Sequence, residues 1–437
     1  MEKAIVVGAG LAGCEAAWQL AKRGIRVELY EMKPEKKTPA HQYSGFAELV
    51  CSNSLRSDRL ENAVGLLKEE LRRMDSLIME CADAARVPAG GALAVDRTVF
   101  SDLVTEKIKN HQNIDVITGE VEKIPDGNVI IATGPLTTPD LFKEITCLTG
   151  RENLYFFDAA APIVTLESVD MDSAFRASRY GKGEDDYINC PMTEEEYTAF
   201  YTELVNAQLA PLKEVDKQVV FEGCMPVETM AKRGKDTLLY GPLKPVGLTD
   251  PKTGKEAYAV VQLRQDNREG TLYNIVGFQT HLKWGEQQRV FGMIPALKNA
   301  EFVRFGVMHR NTYMNSPLLL DGRYRLKNSE RRLYFAGQMT GVEGYVESTS
   351  SGLVAGINLA RELLGQKPLV MPDITATGGL AQYISSGAVS KFVPMNVTFG
   401  IMCPSDKKFR GKGAKAEKNR FISERALKYV DEIVGEA

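Results

Sequence analysis

No Cys-x-x-Cys pair occurs in the 437-residue sequence, and its seven cysteines are odd in number and widely spaced. Those absences exclude a disulfide framework, a zinc ribbon and a thioredoxin-type redox pair, and no metal site is expected. A reducing compartment, the cytoplasm, is the expected location. No stretch approaches the ~18 consecutive apolar residues of a membrane span. The apolar start, Ala4–Val7, is too short for a signal-peptide core and runs straight into glycines. Charge of either sign is in no large excess: 54 Lys and Arg stand against 57 Asp and Glu, so a polyanion must be met by a local patch. Internal repeats and long low-complexity tracts are missing too. What remains is 44% hydrophobic and 25% charged, an ordinary globular balance in a chain long enough for two or three domains.

The opening reads strand, glycine turn, helix, strand. Lys3–Val7 is a short buried-strand run, Leu11–Arg23 is helical with Gly24 placed to end it, and Ile25–Tyr30 is the next strand. Asn62–Cys81 spaces Leu67, Leu71, Met74, Ile78 and Cys81 as one amphipathic helix. Asp96–Asn110 reads as another helix, and Val129–Ala132 as a buried strand. Between roughly 151 and 325 the grammar changes to short aromatic and β-branched runs, among them the hairpin-like pair Ala257–Leu263 and Leu272–Phe278. One helix interrupts them, opened by Thr193 and Glu196 as a capping box. From about Arg332 the strand–glycine–helix grammar returns. The expected fold is α/β: a discontinuous Rossmann-like domain from 1–150 and 326–437, with an α+β domain inserted at 151–325.

Gly8, Ala9, Gly10, Leu11, Ala12 and Gly13 form Gly-x-Gly-x-x-Gly between a strand and a helix. The first glycine permits the tight turn, the second a close approach of backbone to pyrophosphate, and the third close packing of helix on strand. Helix-start amides and the helix dipole favour the anion. Glu31 ends the second strand, where an acid is expected to bind a ribose hydroxyl. Two further elements favour FAD over other dinucleotides. Val129–Gly134 is a strand ending in Ala-Thr-Gly, similar to an element of the large FAD-linked flavoproteins. Leu333–Gln338 is a buried strand reaching Gly337 and Gln338, followed by Gly341, Gly344, Tyr345 and a Ser-rich helix start at Ser348–Gly352. No second Gly-x-Gly-x-x-Gly appears, so a separate nicotinamide-nucleotide domain is not visible.

Two cysteines sit in unusual settings. Cys51 lies in Leu-Val-Cys-Ser-Asn-Ser-Leu-Arg, where Arg56 and polar neighbours favour a thiolate. Cys224 lies in Phe-Glu-Gly-Cys-Met-Pro-Val-Glu, a tight turn between Gly223 and Pro226. Taken alone, a cysteine is more often a small buried hydrophobe than a catalyst. These two segments, the Gly-Ala-Gly-Leu-Ala-Gly-Cys-Glu-Ala-Ala start and Ala-Gly-Gln-Met-Thr-Gly-Val-Glu-Gly-Tyr together resemble the folate- and FAD-dependent tRNA uracil-5-methyltransferases, the TrmFO family, over the whole chain.

The resemblance implies formation of 5-methyluridine in the tRNA T-loop. Its carbon would come from 5,10-methylenetetrahydrofolate and its electrons from NADH or NADPH through FAD. Carbon 5 of uracil is a poor nucleophile until something adds at carbon 6, and a thiolate suits that addition. A methylene group is two electrons short of methyl, so a hydride source is needed. By position, Cys224 resembles the nucleophile toward uracil and Cys51 its acid/base partner. His309 matches a residue expected to stack on the folate pterin, where an unaided reading would make it a structural imidazole. Tyr345 is expected near the flavin or nicotinamide, or as a packing residue.

A basic run holds Lys407, Lys408, Arg410, Lys412, Lys415, Lys418 and Arg420 against the single acid Glu417. It is expected to be a flexible tail that neutralises tRNA phosphates. Three rival readings remain. The related glucose-inhibited-division-type (MnmG) flavoproteins modify wobble uridines, and that family is expected to carry a further long C-terminal helical region. A generic flavin disulfide reductase would need the missing Cys-x-x-Cys and second fingerprint. A non-catalytic flavin- or RNA-binding module would need neither cysteine.

Overall fold

The computed structural model describes residues 3–150, 154–181, 184–211, 225–387, 392–411 and 413–435. Lys3–Val7 is the middle strand of a five-stranded parallel sheet, ordered Leu333–Phe335, Asn128–Ile131, Lys3–Val7, Arg26–Glu31, Ile114–Thr118. Val6 pairs with Leu29 on one side and Ile130 on the other, and Tyr334 pairs with Ile130 in turn. With strands on both sides and helices over the faces, the central strands of a parallel sheet are buried and largely apolar. Val6, Val27, Leu29 and Val129–Ile131 are accordingly buried.

Helix Leu11–Ala21 covers this sheet and crosses helix Tyr345–Leu363 at very short range. A Cβ on Gly352 would stand 2.1 Å from the carbonyl oxygen of Ala12, and one on Gly356 2.7 Å from that of Ala16. Glycine at these two positions is what lets the helix backbones touch. One hydrophobic core gathers residues 4–145 with 313–430, and a second gathers 164–297.

The second core lies under a six-stranded sheet in which Tyr187–Met192, Ala259–Gln265, Leu272–Ile275 and Ile163–Thr165 pair antiparallel in that order. Leu263 pairs with Ile275 across the expected hairpin. Helix Glu194–Asn206 opens on the capping box: the Glu196 amide donates to Thr193 Oγ1 and the Thr193 amide to Glu196 Oε2. Met308–Tyr313 pairs antiparallel with Leu154–Ala159.

Three local expectations need correction. The single helix expected over 62–81 is two, Ala63–Arg73 and Leu77–Ala84. Asp75 takes φ +55°, and Ser76 caps the second helix by accepting the Met79 amide while donating 2.6 Å to the buried carboxylate of Glu15. Periodicity continues across the break, so it could not show it. The helix expected to start at Ser348 starts at Tyr345 behind Gly344, whose φ of +115° breaks the preceding chain. The basic segment is no loose tail from residue 414 onward. It is helix Ala414–Gly435, docked by Asn419 donating to the Glu61 carbonyl and Arg420 to the Glu61 carboxylate.

Candidate active site

A cavity of about 410 Å³ opens where the parallel strands end. Gly8, Ala9, Gly10, Leu11, Ala12, Glu31, Gly134, Gly337, Gln338, Gly344 and Tyr345 all line it, as does Cys51. Gly13 does not, because its work is packing: a Cβ there would lie 1.8 Å from the Gly8 carbonyl oxygen. Gly8, at φ +98°, closes the turn against Ala132, and Gly10 meets nothing within 4 Å on the side where a Cβ would stand. Neither helix Leu11–Ala21 nor helix Tyr345–Leu363 has a side-chain cap, and both begin at this cavity. Two sets of helix-start amides without a side-chain cap among the described residues, and two positive dipole ends, therefore meet there, which suits a pyrophosphate and an electron-rich ring. Glu31, buried, accepts the amides of Ala9 (2.8 Å) and Lys33 (2.9 Å), fastening the glycine turn to the second strand. The residues present fit FAD: an open glycine, two bare helix starts and a terminal acid.

Cys51 sits on a segment gripped from several directions. Its backbone amide donates 2.8 Å to the Tyr345 hydroxyl, and its Sγ lies 2.9 Å from that same oxygen. The Ser52 amide donates there as well, at 3.3 Å. With two amides already donating to it, the Tyr345 oxygen has its own proton left to share with the sulfur. Burial, with Cys51 next to it, pushes the Tyr345 phenol well above its ordinary range. The tyrosine is therefore a neutral donor at working pH.

Three guanidinium groups hold the same segment. Arg97 donates to Leu49 O (2.9 Å) and Arg304 to Val50 O (2.6 Å). Arg264, which lines the cavity, donates through Nε to Asn53 (3.0 Å) and through Nη2 to Ser52 Oγ (2.8 Å). Burial lowers the pKa of both Arg264 and Arg304 from the usual guanidinium value. Of the three, among the described residues, Arg97 alone is balanced by an ion pair, to Asp266 at 3.1 Å. Arg56 pairs instead with the buried Glu347 in the first turn of helix Tyr345–Leu363. This cationic collar favours negative charge on a sulfur.

Sequence reasoning chose Cys51 and Tyr345 separately but missed that they touch across 294 positions. It missed Arg97, Arg264 and Arg304 altogether. The one available signal was an arginine in strand Ala259–Gln265, following the apolar run Ala259–Val261. Asn311 and Gln279, which also line the cavity, carried no signal. Cys224 lies outside the described residues. Downstream of it, the Val227 amide donates 2.7 Å to the carbonyl of Gln279. His309 is in strand Met308–Tyr313, in register with Asp158, and its side chain is outside the description. Lys407, Lys408 and Arg410 are exposed and do not line the cavity. Lys412 lies outside the described residues. Among the described residues no helix is long and apolar enough to cross a membrane.

The chain is similar to known proteins. Residues 3–367 match the family model for glucose inhibited division protein A. A protein of Acetivibrio thermocellus named methylenetetrahydrofolate–tRNA-(uracil-5-)-methyltransferase TrmFO is 65% identical over 430 residues, 98% of each chain. One of the same name from Listeria monocytogenes is 61% identical over the full length of both chains. Among solved structures, Aquifex aeolicus GidA (form I crystal) superposes with a TM-score of 0.70 at 15% identity, covering 99% of this chain and 76% of its own. That likeness shows a shared fold. The chain thus belongs to the glucose inhibited division protein A family and, within it, to the TrmFO group of flavin-binding α/β proteins.

Proposed function

We propose that this protein is an FAD-dependent enzyme that converts a T-loop uridine of tRNA to 5-methyluridine, taking carbon from 5,10-methylenetetrahydrofolate and electrons from NADPH or NADH. The observation that carries the reading is Cys51 held against Tyr345 at the meeting point of two uncapped helix starts. Relatives named for this activity at 61–65% identity support it.

Gly8–Ala12, Glu31, Gly134, Gly337, Gln338 and Gly344 would hold FAD, with Gly13 packing the turn behind them; FAD would supply the two electrons that separate a methylene group from a methyl. Cys224 would add through its thiolate to carbon 6 of the uracil, placing electron density on carbon 5, which would attack the folate-derived methylene carbon to form the new carbon–carbon bond. Cys51 would then take the proton from carbon 5, with the Tyr345 hydroxyl 2.9 Å away to steady the charge on its sulfur. Loss of the carbon 5 proton would expel the nitrogen that carried the methylene group and leave a C5=CH2 unit; hydride, for which bound FAD would supply the electrons, would convert that carbon to methyl and return the enolate, which expels the Cys224 thiolate and restores the C5–C6 double bond. His309 would meet the pterin, and Lys407, Lys408 and Arg410 the phosphates. The target base must leave its stack to be reached. A tRNA substrate implies work in the cytoplasm. We divide the chain into an FAD-binding domain, 1–150 with 326–437, and an inserted domain, 151–325; the two separate cores support a division of this kind, with the first core taken up again from Tyr313.

The test is chemical. Holoenzyme, an unmodified tRNA transcript, folate labelled at the methylene carbon and NAD(P)H are incubated, and nucleosides are analysed by mass. Labelled 5-methyluridine in the T-loop is expected. A labelled wobble uridine, or no modified nucleoside with either reductant, overturns the assignment.

A further inference from the structure

We propose that Trp284 is a stacking platform for an unpaired base of the RNA substrate, at the exposed end of a ladder of three rings with Phe305 and Phe302. The inference rests on the tRNA reading above and adds a contact surface to it. Trp284 is 61% exposed and is one of two tryptophans in the chain. Its indole lies on Phe305 with ring centres 5.3 Å apart and planes 10° from parallel. Phe305 lies in the same way on Phe302, at 5.4 Å and 4°. Near-parallel offset rings of this kind continue naturally with a nucleobase, because every base presents a π-face.

The ladder is built rigidly before any ligand arrives. Phe302 belongs to strand Phe302–Arg304 and pairs with Val164 at the edge of the six-stranded sheet. Trp284 opens helix Trp284–Phe291. Gln287, fully buried on that helix, donates to the carbonyls of Leu282 (2.8 Å) and Gly306 (2.9 Å) and accepts the Gly306 amide (2.8 Å). Both sides of the stack are therefore tied to one side chain, so little entropy would be lost on binding.

Its position connects it to the chemistry. Arg304, between Phe302 and Phe305 in the chain, donates to Val50 beside Cys51. Neighbouring Cα atoms are about 3.8 Å apart, so one short piece of backbone carries both the hold on the cysteine segment and the ring beneath Trp284. Lys283, next to Trp284 and exposed, bonds the neutral amide of Gln208 (2.9 Å) and makes no salt bridge among the described residues, although Glu286 lies within its electrostatic reach. Arg289 on the same helix is instead satisfied by Glu203 and Glu286. A flat, sequence-tolerant ring beside an exposed lysine is the chemistry of single-stranded nucleic acid recognition.

The experiment uses holoenzyme carrying Trp18→Phe, so that Trp284 is the sole indole emitter, titrated with an unmodified tRNA transcript. Emission should fall with saturation. Trp284→Ala should raise the tRNA Kd roughly 10-fold, as loss of one base–aromatic stack does, and Trp284→Phe should recover most of it; flavin content checks that each variant is folded. Unchanged emission, or a Trp284→Ala variant that binds tRNA as tightly as its parent, overturns the platform. If the parent makes 5-methyluridine while that happens, only the platform fails. If the parent makes none, it is the proposed activity that fails.

Discussion

Tyr345 is the residue on which the candidate site turns, because one oxygen receives two backbone amides and touches a sulfur. Replacing it by phenylalanine leaves the Cys51 and Ser52 amides without their acceptor, at about 1–3 kcal/mol for each buried donor, and takes away the sulfur's proton partner. Tyr345→Phe is expected to keep its yellow colour and lose at least about 10-fold in kcat, well within what a positioned acid–base group contributes. A purely structural role would leave the pH profile of Cys51 alkylation by iodoacetamide where it was; the proton-partner role requires that profile to move. Since burial holds the phenol well above its ordinary range, an alkaline limb between pH 7 and 9 in the parent enzyme belongs to another group.

Among the elements, the crossing of helices Leu11–Ala21 and Tyr345–Leu363 fixes how far apart the two uncapped starts stand. Gly352→Ala places a methyl 2.1 Å from the Ala12 carbonyl, so the helices must separate, at a cost of about 1–3 kcal/mol for overpacking. Gly10→Ala places its methyl in open space at φ −75°, where no strain arises. Thermal melts of the apoproteins should show Gly352→Ala destabilised and Gly10→Ala unchanged, while flavin titration shows both weakened, the second by direct obstruction. Equal melts for the two would contradict the packing account. A different joint ties helix Ala63–Arg73 to helix Ala376–Ser385. Glu70 accepts the amides of Ala376 (2.7 Å) and Thr377 (2.9 Å) and the Thr377 hydroxyl (2.8 Å), while its burial raises the carboxyl to about 7. The unfolded carboxyl titrates near 4.3, so this group's stabilising effect is complete below that pH and is lost as pH rises toward 7. The slope is roughly 1 kcal/mol per pH unit at most. Denaturant unfolding at pH 5, 6 and 7 should show that slope reduced in Glu70→Gln; identical slopes would remove Glu70 as its source.

For the whole molecule the question is how a protein of net charge −3 holds a polyanion. Lys407, Lys408 and Arg410 are exposed just ahead of the C-terminal helix, with Lys407 lying 4.4 Å over the Phe421 ring. Arg420, by contrast, is spent on Glu61. Charge reversal at 407, 408 and 410 together should raise the tRNA Kd and flatten its dependence on salt, by about one unit of log–log slope for each phosphate no longer neutralised. A slope equal to that of the unaltered protein would show that these cations do not reach the RNA.

Much of this was legible in the chain because its causes are local. A glycine that must admit a carbonyl, an acid closing a strand, a capping box and an apolar run each act within a few residues, and Lys3–Val7, Thr193 with Glu196 and the Gly8–Gly13 turn stand in the structure as their neighbours dictate. Helix breaks at Asp75 and at Gly344 were not legible, since Ser76 answers to Glu15 and Gly344 to the cavity, partners that periodicity does not register. The sequence by itself determined the order of the elements and where a dinucleotide could bind. Only the tertiary structure decided that Tyr345 would meet Cys51 and that Arg97, Arg264 and Arg304 would close around it. Hydrogen bonds between residues hundreds of positions apart depend on how sheets and helices pack, and no spacing along the chain encodes that.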